Sequence, residues 1–97
     1  MEFPLKVLRK SMYEVLLTKK AEKELNKLAR VDSNKLVAKL QNFVYPFPSN
    51  FDIDKIGGVD HFYRLRVGRV RAIFEIDFGK KEIWIRKVGY RGGVYKF

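Results

Sequence analysis

Four arginines are crowded into one short stretch of this chain, "HFYRLRVGRVRAIFEI" at residues 61–76. Arg64, Arg66, Arg69 and Arg71 are separated only by apolar residues and one glycine. A guanidinium group is planar and always charged, and it can hold two oxygens of a phosphate or carboxylate at once. Such groups bind anions and stabilise negative charge that develops during a reaction. The stretch therefore predicts an anion-binding surface.

The spacing predicts how these arginines are arranged. A Gly-Arg turn joins two predicted strands, 61–67 and 70–77. Side chains alternate between the two faces of a strand, so Arg64, Arg66 and Arg71 share one face and the apolar residues share the other. This register places Arg66 directly opposite Arg71. Like charges at such a position destabilise a sheet, and no carboxylate partner is evident. We therefore interpret the arginines as residues that bind an anion rather than residues that stabilise the sheet.

A third predicted strand, 82–88, adds further basic residues beside this face. With a four-residue turn around Gly79, Arg86 is expected opposite Ile73 on the same face as the arginines. Arg91 follows just past the end of this strand, in the tail "GYRGGVYKF", which is too glycine-rich to be a regular strand throughout.

Composition limits the class of protein. The chain has 97 residues, 46% of them hydrophobic, which predicts one globular domain spanning residues 1–97. The absence of cysteine excludes disulfides, and a single histidine without clustered carboxylates predicts no metal site and no cofactor. No apolar run reaches the roughly 20 residues of a membrane span, and no signal peptide is recognisable. We therefore expect a cytoplasmic protein with no membrane association.

Charge points to the kind of partner. The net charge is +10, and most of the excess lies in residues 61–97. A field of this sign and asymmetry attracts polyanions such as nucleic acid, the ribosome or an acidic protein. We therefore expect a polyanionic partner for the C-terminal third.

The pattern along the chain predicts an α+β domain. Residues 12–17 are predicted as a strand, and Thr18 is expected to cap a helix over 19–30. A second helix is expected to open at Asp32 or Ser33 and to end at Pro46. The segment "PFPSNFDIDKIGG" is predicted as a loop, followed by three antiparallel strands. The helical hairpin should pack on one face of the resulting sheet.

Residues 1–11 are interpreted in two ways. Met12 is one possible start of the domain, with residues 1–11 as an N-terminal extension. Alternatively, "LKVLRK" forms a short extra element.

Three stretches together resemble one known family. "KIGGVDHFYRLRVGRVRAIFEI", "IWIRKVGYRGGVY" and the upstream "YEVLLTKKAEKELNKL" are similar to the RelE/ParE toxin superfamily over about residues 12–95. The resemblance implies the toxin of a prokaryotic type II toxin–antitoxin pair, on a small fold of helices against an antiparallel sheet. It also implies a cognate RelB-like antitoxin, acidic where it contacts the toxin, in a hetero-oligomeric complex.

The superfamily has two functional branches. RelE-type members are ribosome-dependent endoribonucleases that cut mRNA in the ribosomal A site, whereas ParE-type members poison DNA gyrase and lack the ribonuclease residues. RelE-like enzymes carry basic residues at alternating positions of one strand, an arginine on the next strand, an arginine after the last strand and a C-terminal tyrosine. The positions of this chain that match are Arg64, Arg66, Arg71, Arg91 and Tyr95. The resemblance therefore implies the RelE-like branch, with these five as catalytic residues.

This chain departs from the RelE pattern at two positions that bear on proton transfer. The best-known RelE pattern has lysine at the first two of these positions, where this chain has Arg64 and Arg66. Arginine binds phosphate but does not give up its proton at neutral pH. Tyr95 is then the best candidate for moving a proton, and His61 is a weaker one. A site without a good base fits an enzyme that relies on the ribosome to position its substrate.

Other residues are predicted to bind RNA without taking part in chemistry. Aromatic side chains stack on the bases of single strands, and basic side chains contact phosphates. The predicted RNA-binding set is Arg69, Arg86, Lys87, Trp84 and Tyr90. Two other functions stay open from the sequence, a ParE-like gyrase inhibitor and a non-catalytic RNA- or ribosome-binding module.

Overall fold

The computed structural model describes residues 5–7, by their backbone, and residues 13–91. Its elements are β1 (Leu5–Val7), β2 (Glu14–Leu17), α1 (Lys19–Asn26), α2 (Arg30–Leu40), β3 (Asp52–Lys55), β4 (Phe62–Val67), β5 (Val70–Asp77) and β6 (Glu82–Tyr90). Neither helix in this part of the chain is long and apolar enough to cross a membrane.

All strands join one sheet in the order β1-β2-β6-β5-β4-β3. Neighbouring strands are antiparallel except β2 and β6, which run parallel. The predicted α+β class with both helices on one sheet face is confirmed. The predicted number of strands was wrong, because the described residues form a sheet of six strands rather than four. One added strand is β1, so the stretch before Met12 contains a short extra element.

The other added strand, β3, lies in the segment that was predicted as a loop. Its sequence, "DIDK", contains two aspartates, which are poor strand formers. Here the pairing with β4 outweighs that preference, and it places Asp52 opposite Arg66 and Asp54 opposite Arg64. Cross-strand pairs of opposite charge stabilise a sheet.

Helix α1 begins as predicted and ends early. The Thr18 hydroxyl accepts a hydrogen bond from the Ala21 backbone N–H at 3.1 Å, which confirms the predicted cap. Ala21 and Leu25 are buried one turn apart. The helix stops at Asn26 instead of continuing to Arg30, because the next two backbone N–H groups donate to carbonyls only three residues back.

Helix α2 is displaced from its predicted bounds. It spans Arg30–Leu40, so it opens before Asp32 or Ser33 and ends well before Pro46. The backbone N–H groups of Asp32 and Ser33 donate to the Ala29 carbonyl at 2.9 and 3.0 Å, which places both residues inside the first turn. The negative charge of Asp32 suits this end of the helix dipole.

The core lies between the helices and one sheet face. It is built from residues that alternate along the strands and recur at helical spacing, and it includes Leu25, Leu36, Leu40, Leu65, Ala72, Phe74 and Ile85. Phe43, just past α2, is fully buried with its ring 4.9 Å from that of Phe74 in an edge-to-face contact. This anchor draws the chain away from the helix axis before Pro46. The opposite sheet face carries charged side chains around the buried Leu16 and Ile73.

Candidate functional site

Three of the predicted catalytic arginines lie together on the sheet face that is turned away from the helices. The register pairs Val67 with Val70, Arg66 with Arg71 and Arg64 with Ile73, which confirms the predicted hairpin register. The Gly68 φ of +58° supplies the left-handed turn that this register needs. We call Arg64, Arg66 and Arg71 the arginine face.

Two carboxylates on the edge strand contact this face, contrary to the expectation that no partner exists. Asp54 Oδ2 lies 2.8 Å from Arg64 Nη2 and 3.0 Å from Arg66 Nη2. Asp52 Oδ1 lies 3.4 Å from Arg66 Nη1. The hydrogen bond from Arg64 holds the pKa of Asp54 below its ordinary value. Two of the three arginines are therefore already bound to anions within the chain.

Arg71 is bound differently. Its Nη1 donates to the backbone carbonyls of Gly68 and Val70, both at 3.0 Å. Its Nε is buried without a hydrogen-bond partner. Among residues 13–91, no carboxylate forms an ion pair with Arg71. Its positive charge is therefore uncompensated within the described part of the chain.

Arg86 is not where the sequence predicted. The strand pairing shifts at Ile73/Phe74, so that Lys87 opposes Ile73 and Arg86 is the extra residue of a bulge in β6. Arg86 Nε donates to Glu75 Oε1 at 2.7 Å. The predicted register, with Arg86 opposite Ile73, was therefore wrong, because Lys87 takes that place. The predicted face is consistent with the contact to Glu75, which shares a strand face with Arg71.

Trp84 lies on the same strand and the same sheet face, opposite Glu75. Its indole Nε1 donates to Glu82 Oε1 at 3.0 Å, and the side chain is half-buried. This contact fixes the ring toward the far end of the sheet from Arg71.

Arg69 and Tyr90 belong to a separate group on the helix side, which we call the Asp32 cluster. Arg69 reaches Asp32 Oδ2 through Nε and Nη2, both at 3.0 Å. The Tyr90 hydroxyl donates to the same oxygen at 2.9 Å and accepts a hydrogen bond from the Ala29 backbone N–H at 2.9 Å. The Arg69 guanidinium also lies 5.0 Å from the Tyr90 ring centre.

The Asp32 carboxylate is strongly stabilised in this cluster. Its side chain is only 7% exposed, and hydrogen bonds from Arg69 and Tyr90 lower its pKa. The same contacts raise the pKa of Arg69. The cluster ties the start of α2 to the β4–β5 turn and to the end of β6. Arg69 and Tyr90 therefore have contacts that the sequence-based prediction of RNA binding did not include.

The remaining predicted residues lie near the end of β6 or outside the described residues. Arg91 is exposed, and its backbone N–H donates to the Arg69 carbonyl at 3.3 Å, next to the β4–β5 turn. Tyr95 lies outside the described residues. His61 precedes β4, and its ring lies 5.4 Å from that of Phe78.

The site can bind and stabilise negative charge, and its side chains do not form a metal centre. In the described ranges, no three His, Asp or Glu side chains are grouped to hold a metal ion. Arginine donors at fixed positions on a rigid sheet are suited to a phosphate group that gains charge during a reaction.

Three acidic residues at the site were missed from the sequence. Asp52 and Asp54 alternate as Arg64 and Arg66 do, and the two pairs are placed symmetrically about Val59, close to a Gly-Gly turn. That mirror spacing is the signal of an antiparallel hairpin with matched charges, and it was available. Asp32 carried no such signal, because its partners are 37 and 58 residues away in the sequence.

Comparison with known families gives one match that covers most of the chain. Residues 15–95 match the family described as the ParE toxin of type II toxin-antitoxin system, parDE. A curated protein of Methanocaldococcus jannaschii, named "Putative toxin RelE1", is 38% identical over 52 residues. That alignment covers 53% of this chain and 58% of the relative, so the chain spans less than two thirds of that protein's length.

Solved structures of RelE proteins share this fold. The chain is similar to RelE in an archaeal RelE–RelB complex from Pyrococcus horikoshii, with 29% identity and a TM-score of 0.66 over 84% of this chain and 97% of that one. It is similar to the RelB–RelE antitoxin–toxin complex from Methanococcus jannaschii, with 25% identity and a TM-score of 0.65 over 81% and 93% of the two chains. A free-state mutant of the toxin RelE from E. coli has a TM-score of 0.69 at 20% identity over 84% and 86%, which shows the fold alone.

Proposed function

Because the chain belongs to the RelE/ParE superfamily of toxins from type II toxin–antitoxin systems, we propose that it is a ribosome-dependent endoribonuclease. It would act in the cytoplasm by cleaving mRNA in the ribosomal A site, and so inhibit translation. The resemblance seen in the sequence is confirmed at the level of the superfamily. Assignment of the chain to the RelE-like ribonuclease branch is our proposal, and this assignment rests on the arginine face.

The observation that carries the proposal is the environment of Arg71. Its guanidinium contacts two neutral backbone carbonyls, and Arg66 lies directly opposite on the neighbouring strand. A second cation at this position costs stability, and no carboxylate of residues 13–91 compensates Arg71. A phosphate bound here supplies the missing negative charge, and its charge increases when a neighbouring 2′-hydroxyl attacks it.

The chemistry needs three contributions from the chain. The attacking 2′-oxygen, the phosphorus and the leaving 5′-oxygen must be held in line, and the extra charge on the phosphate oxygens must be stabilised. The 2′-hydroxyl must lose its proton as its oxygen bonds to phosphorus, and the 5′-oxygen must gain one as the P–O5′ bond breaks. We assign charge stabilisation at the scissile phosphate to Arg71 and Arg91, and positioning of the RNA backbone to Arg64 and Arg66. Lys87 lies beside this face and extends the path of the RNA.

Proton transfer is assigned to Tyr95. Arginine keeps its proton at neutral pH, so the arginine face cannot serve as the base. A tyrosine with its ordinary pKa near 10 is a weak base at neutral pH. Cleavage of free RNA should therefore be slow, and the ribosome would supply the in-line geometry that this site does not enforce.

The proposed partner in the resting state is a RelB-like antitoxin. Two of the similar structures are complexes of RelE with RelB. We expect the antitoxin to form a hetero-oligomer with this chain and to inhibit it by occupying or distorting the arginine face. The test is the affinity of the antitoxin for an Arg66→Glu/Arg71→Glu variant. Unchanged binding would contradict the electrostatic part of this proposal.

Mapping of RNA 5′ ends tests the proposed activity. An mRNA programmed on active ribosomes from a matching source is incubated with the protein, and the same mRNA without ribosomes is the control. We expect cuts in the A-site codon only when ribosomes are present, and loss of these cuts in Arg71→Ala. Arg30→Ala is the matched control, because Arg30 is an exposed arginine at the start of α2 on the helix side.

Two observations favour a second function, inhibition of DNA gyrase without chemistry. The matched family description names ParE, and Arg64 and Arg66 are already paired with carboxylates. Absence of any cut on active ribosomes, together with inhibition of gyrase supercoiling by the same preparation, would replace the ribonuclease proposal with this one.

A further inference from the structure

Strand β3 places two carboxylates where an RNA backbone is proposed to bind. Asp54 Oδ2 is within 3.0 Å of guanidinium nitrogens of both Arg64 and Arg66. One oxygen shared by two arginines is the arrangement that an oxygen of a bound phosphate takes. Asp52 adds a second, longer contact to Arg66 at 3.4 Å. The carboxylates of Asp52 and Asp54 therefore occupy places beside the arginines that two phosphates of a bound RNA could take.

These carboxylates are held loosely enough to be replaced. The side chains of Asp52 and Asp54 are 57% and 47% exposed, so water and salt screen their ion pairs. The strand that carries them is at the edge of the sheet and pairs only with β4, while its Ile53 packs against the core. A polyanion that brings several phosphates at once can displace such pairs, whereas a single weakly positioned phosphate competes poorly.

The residue types argue against a purely structural purpose. Aspartate is unfavourable in strands, yet two of the four residues of β3 are aspartates whose side chains point to the arginine face. A threonine at either position would pair well in the strand and leave the arginines to an outside anion. Residue types that oppose the local strand propensity are expected at functional sites, where they serve binding or catalysis rather than stability.

We propose that Asp52 and Asp54 are specificity-determining residues that compete with the RNA backbone for Arg64 and Arg66. The competition lowers the affinity for free single-stranded RNA. Productive binding then requires a substrate whose position is fixed by additional contacts, as on the ribosome. This inference rests on the proposed function, which gives the biological reason for the competition. The competition itself can be measured from RNA binding alone, without any cleavage.

The test measures binding of a probe that cannot be cleaved. A fluorescent 2′-O-methyl oligoribonucleotide lacks the 2′-hydroxyl nucleophile, and its anisotropy gives the affinity at several salt concentrations. Wild type is compared with Asp52→Asn/Asp54→Asn, which removes both charges at constant size. Asp77→Asn is the matched control, because it removes one carboxylate from the same sheet while an amide oxygen can still accept the Lys80 N–H.

We expect the double variant to bind more tightly and with a steeper salt dependence. If two more cations become available, the slope of log K against log salt steepens by about 1.4, at about 0.7 per phosphate contact with a single strand. Between about 50 and 200 mM salt this amounts to about sevenfold greater loss of affinity than for wild type. The single variant Asp52→Asn, which keeps the shorter pair, should lie between the two.

The outcomes separate this inference from the proposed function. Binding by the double variant that matches Asp77→Asn in affinity and slope would overturn the competition, even if A-site cleavage is observed. Tighter, steeper binding without any cleavage on ribosomes would support the competition and contradict the ribonuclease. Circular dichroism of each variant establishes whether it is folded. If the double variant is unfolded, Asp52→Asn alone is compared with wild type.

Discussion

Two of the arginine–carboxylate groups in residues 13–91, the Asp32 cluster and the arginine face with its aspartates, have similar distances and opposite surroundings. In the Asp32 cluster, Arg69 lies 3.0 Å from a carboxylate that is 7% exposed and that also accepts from Tyr90. On the arginine face, the contacts of Asp54 are 2.8 and 3.0 Å, but the carboxylate is 47% exposed. Distance alone therefore does not distinguish a structural pair from a replaceable one.

A structural pair and a replaceable pair differ in how exposed the carboxylate is and in which other groups it contacts. A buried carboxylate that loses its partners leaves an uncompensated charge away from water, which is strongly unfavourable. An exposed carboxylate that loses its partner is simply hydrated, and the contribution of such a pair to stability is small. We infer that the helix side of the sheet holds the fold together and that the opposite face is reserved for binding.

The largest effect on stability should come from the helix side. Leu36→Ala removes a fully buried side chain from α2 and leaves a cavity in the core, so we expect the free energy of unfolding to fall by about 2–5 kcal/mol. Urea denaturation measures it. Val31→Ala in the same helix is the control, because Val31 is 63% exposed and should change the value by no more than about 0.5 kcal/mol. Equal losses in the two variants would contradict the assigned core.

Asp32→Asn should come next and lower the melting temperature by several degrees. The variant keeps the shape of the side chain but removes the charge that Arg69 and Tyr90 stabilise. Thermal unfolding measures it, with exposed Asp60→Asn as the matched loss of a carboxylate. A melting temperature as high as that of Asp60→Asn would mean that the buried cluster is no more structural than a surface charge.

The stabilising effect of Asp32 should depend on pH in one direction. Its pKa in the folded protein is lowered from the ordinary value of 3.8, first by the hydrogen bond from Arg69. Its contribution is therefore complete above about pH 4 and is lost as the pH falls through the lower folded-state value. Unfolding free energies of wild type and Asp32→Asn should differ by a constant amount from pH 7 to pH 5 and converge below pH 4. A difference that grows on acidification would have the wrong sign.

The smallest effect on stability is expected on the arginine face. Asp52→Asn/Asp54→Asn removes two carboxylates that are 57% and 47% exposed, whereas the Arg64 side chain that contacts Asp54 is only 20% exposed. The melting temperature should therefore fall slightly, by less than in Asp32→Asn. Differential scanning calorimetry at low salt, where surface charges matter most, is the sensitive measurement. A loss as large as that of Asp32→Asn would show that the exposed pairs hold β3 in place.

Local patterns were enough to predict the hairpin that carries the arginine face. Period-two alternation and a glycine turn give the pairing of Arg66 with Arg71, and a threonine before a helical stripe gives the cap of α1. These features depend on residues that are close in the sequence, where propensity and side-chain alternation act directly.

Features that depend on distant residues were not predictable in this way. The displacement of Arg86 comes from a bulge that no local pattern marks. The strand at Asp52–Lys55 differs, because the mirrored spacing of its aspartates and the arginines of β4 was visible in the sequence and was missed. The Asp32 cluster joins three parts of the chain that are remote in sequence. Tertiary pairing outweighs local preference in each case.

The single-turnover rate of A-site cleavage by Arg71→Ala is the most direct test of the claim that this face is catalytic. Loss of one preorganised donor to a developing charge reduces rates by about 10²–10³-fold, so we expect that reduction relative to Arg30→Ala, with little change in melting temperature. Cleavage by Arg71→Ala at the rate of Arg30→Ala would contradict the account, because Arg71 would then contribute nothing to the reaction.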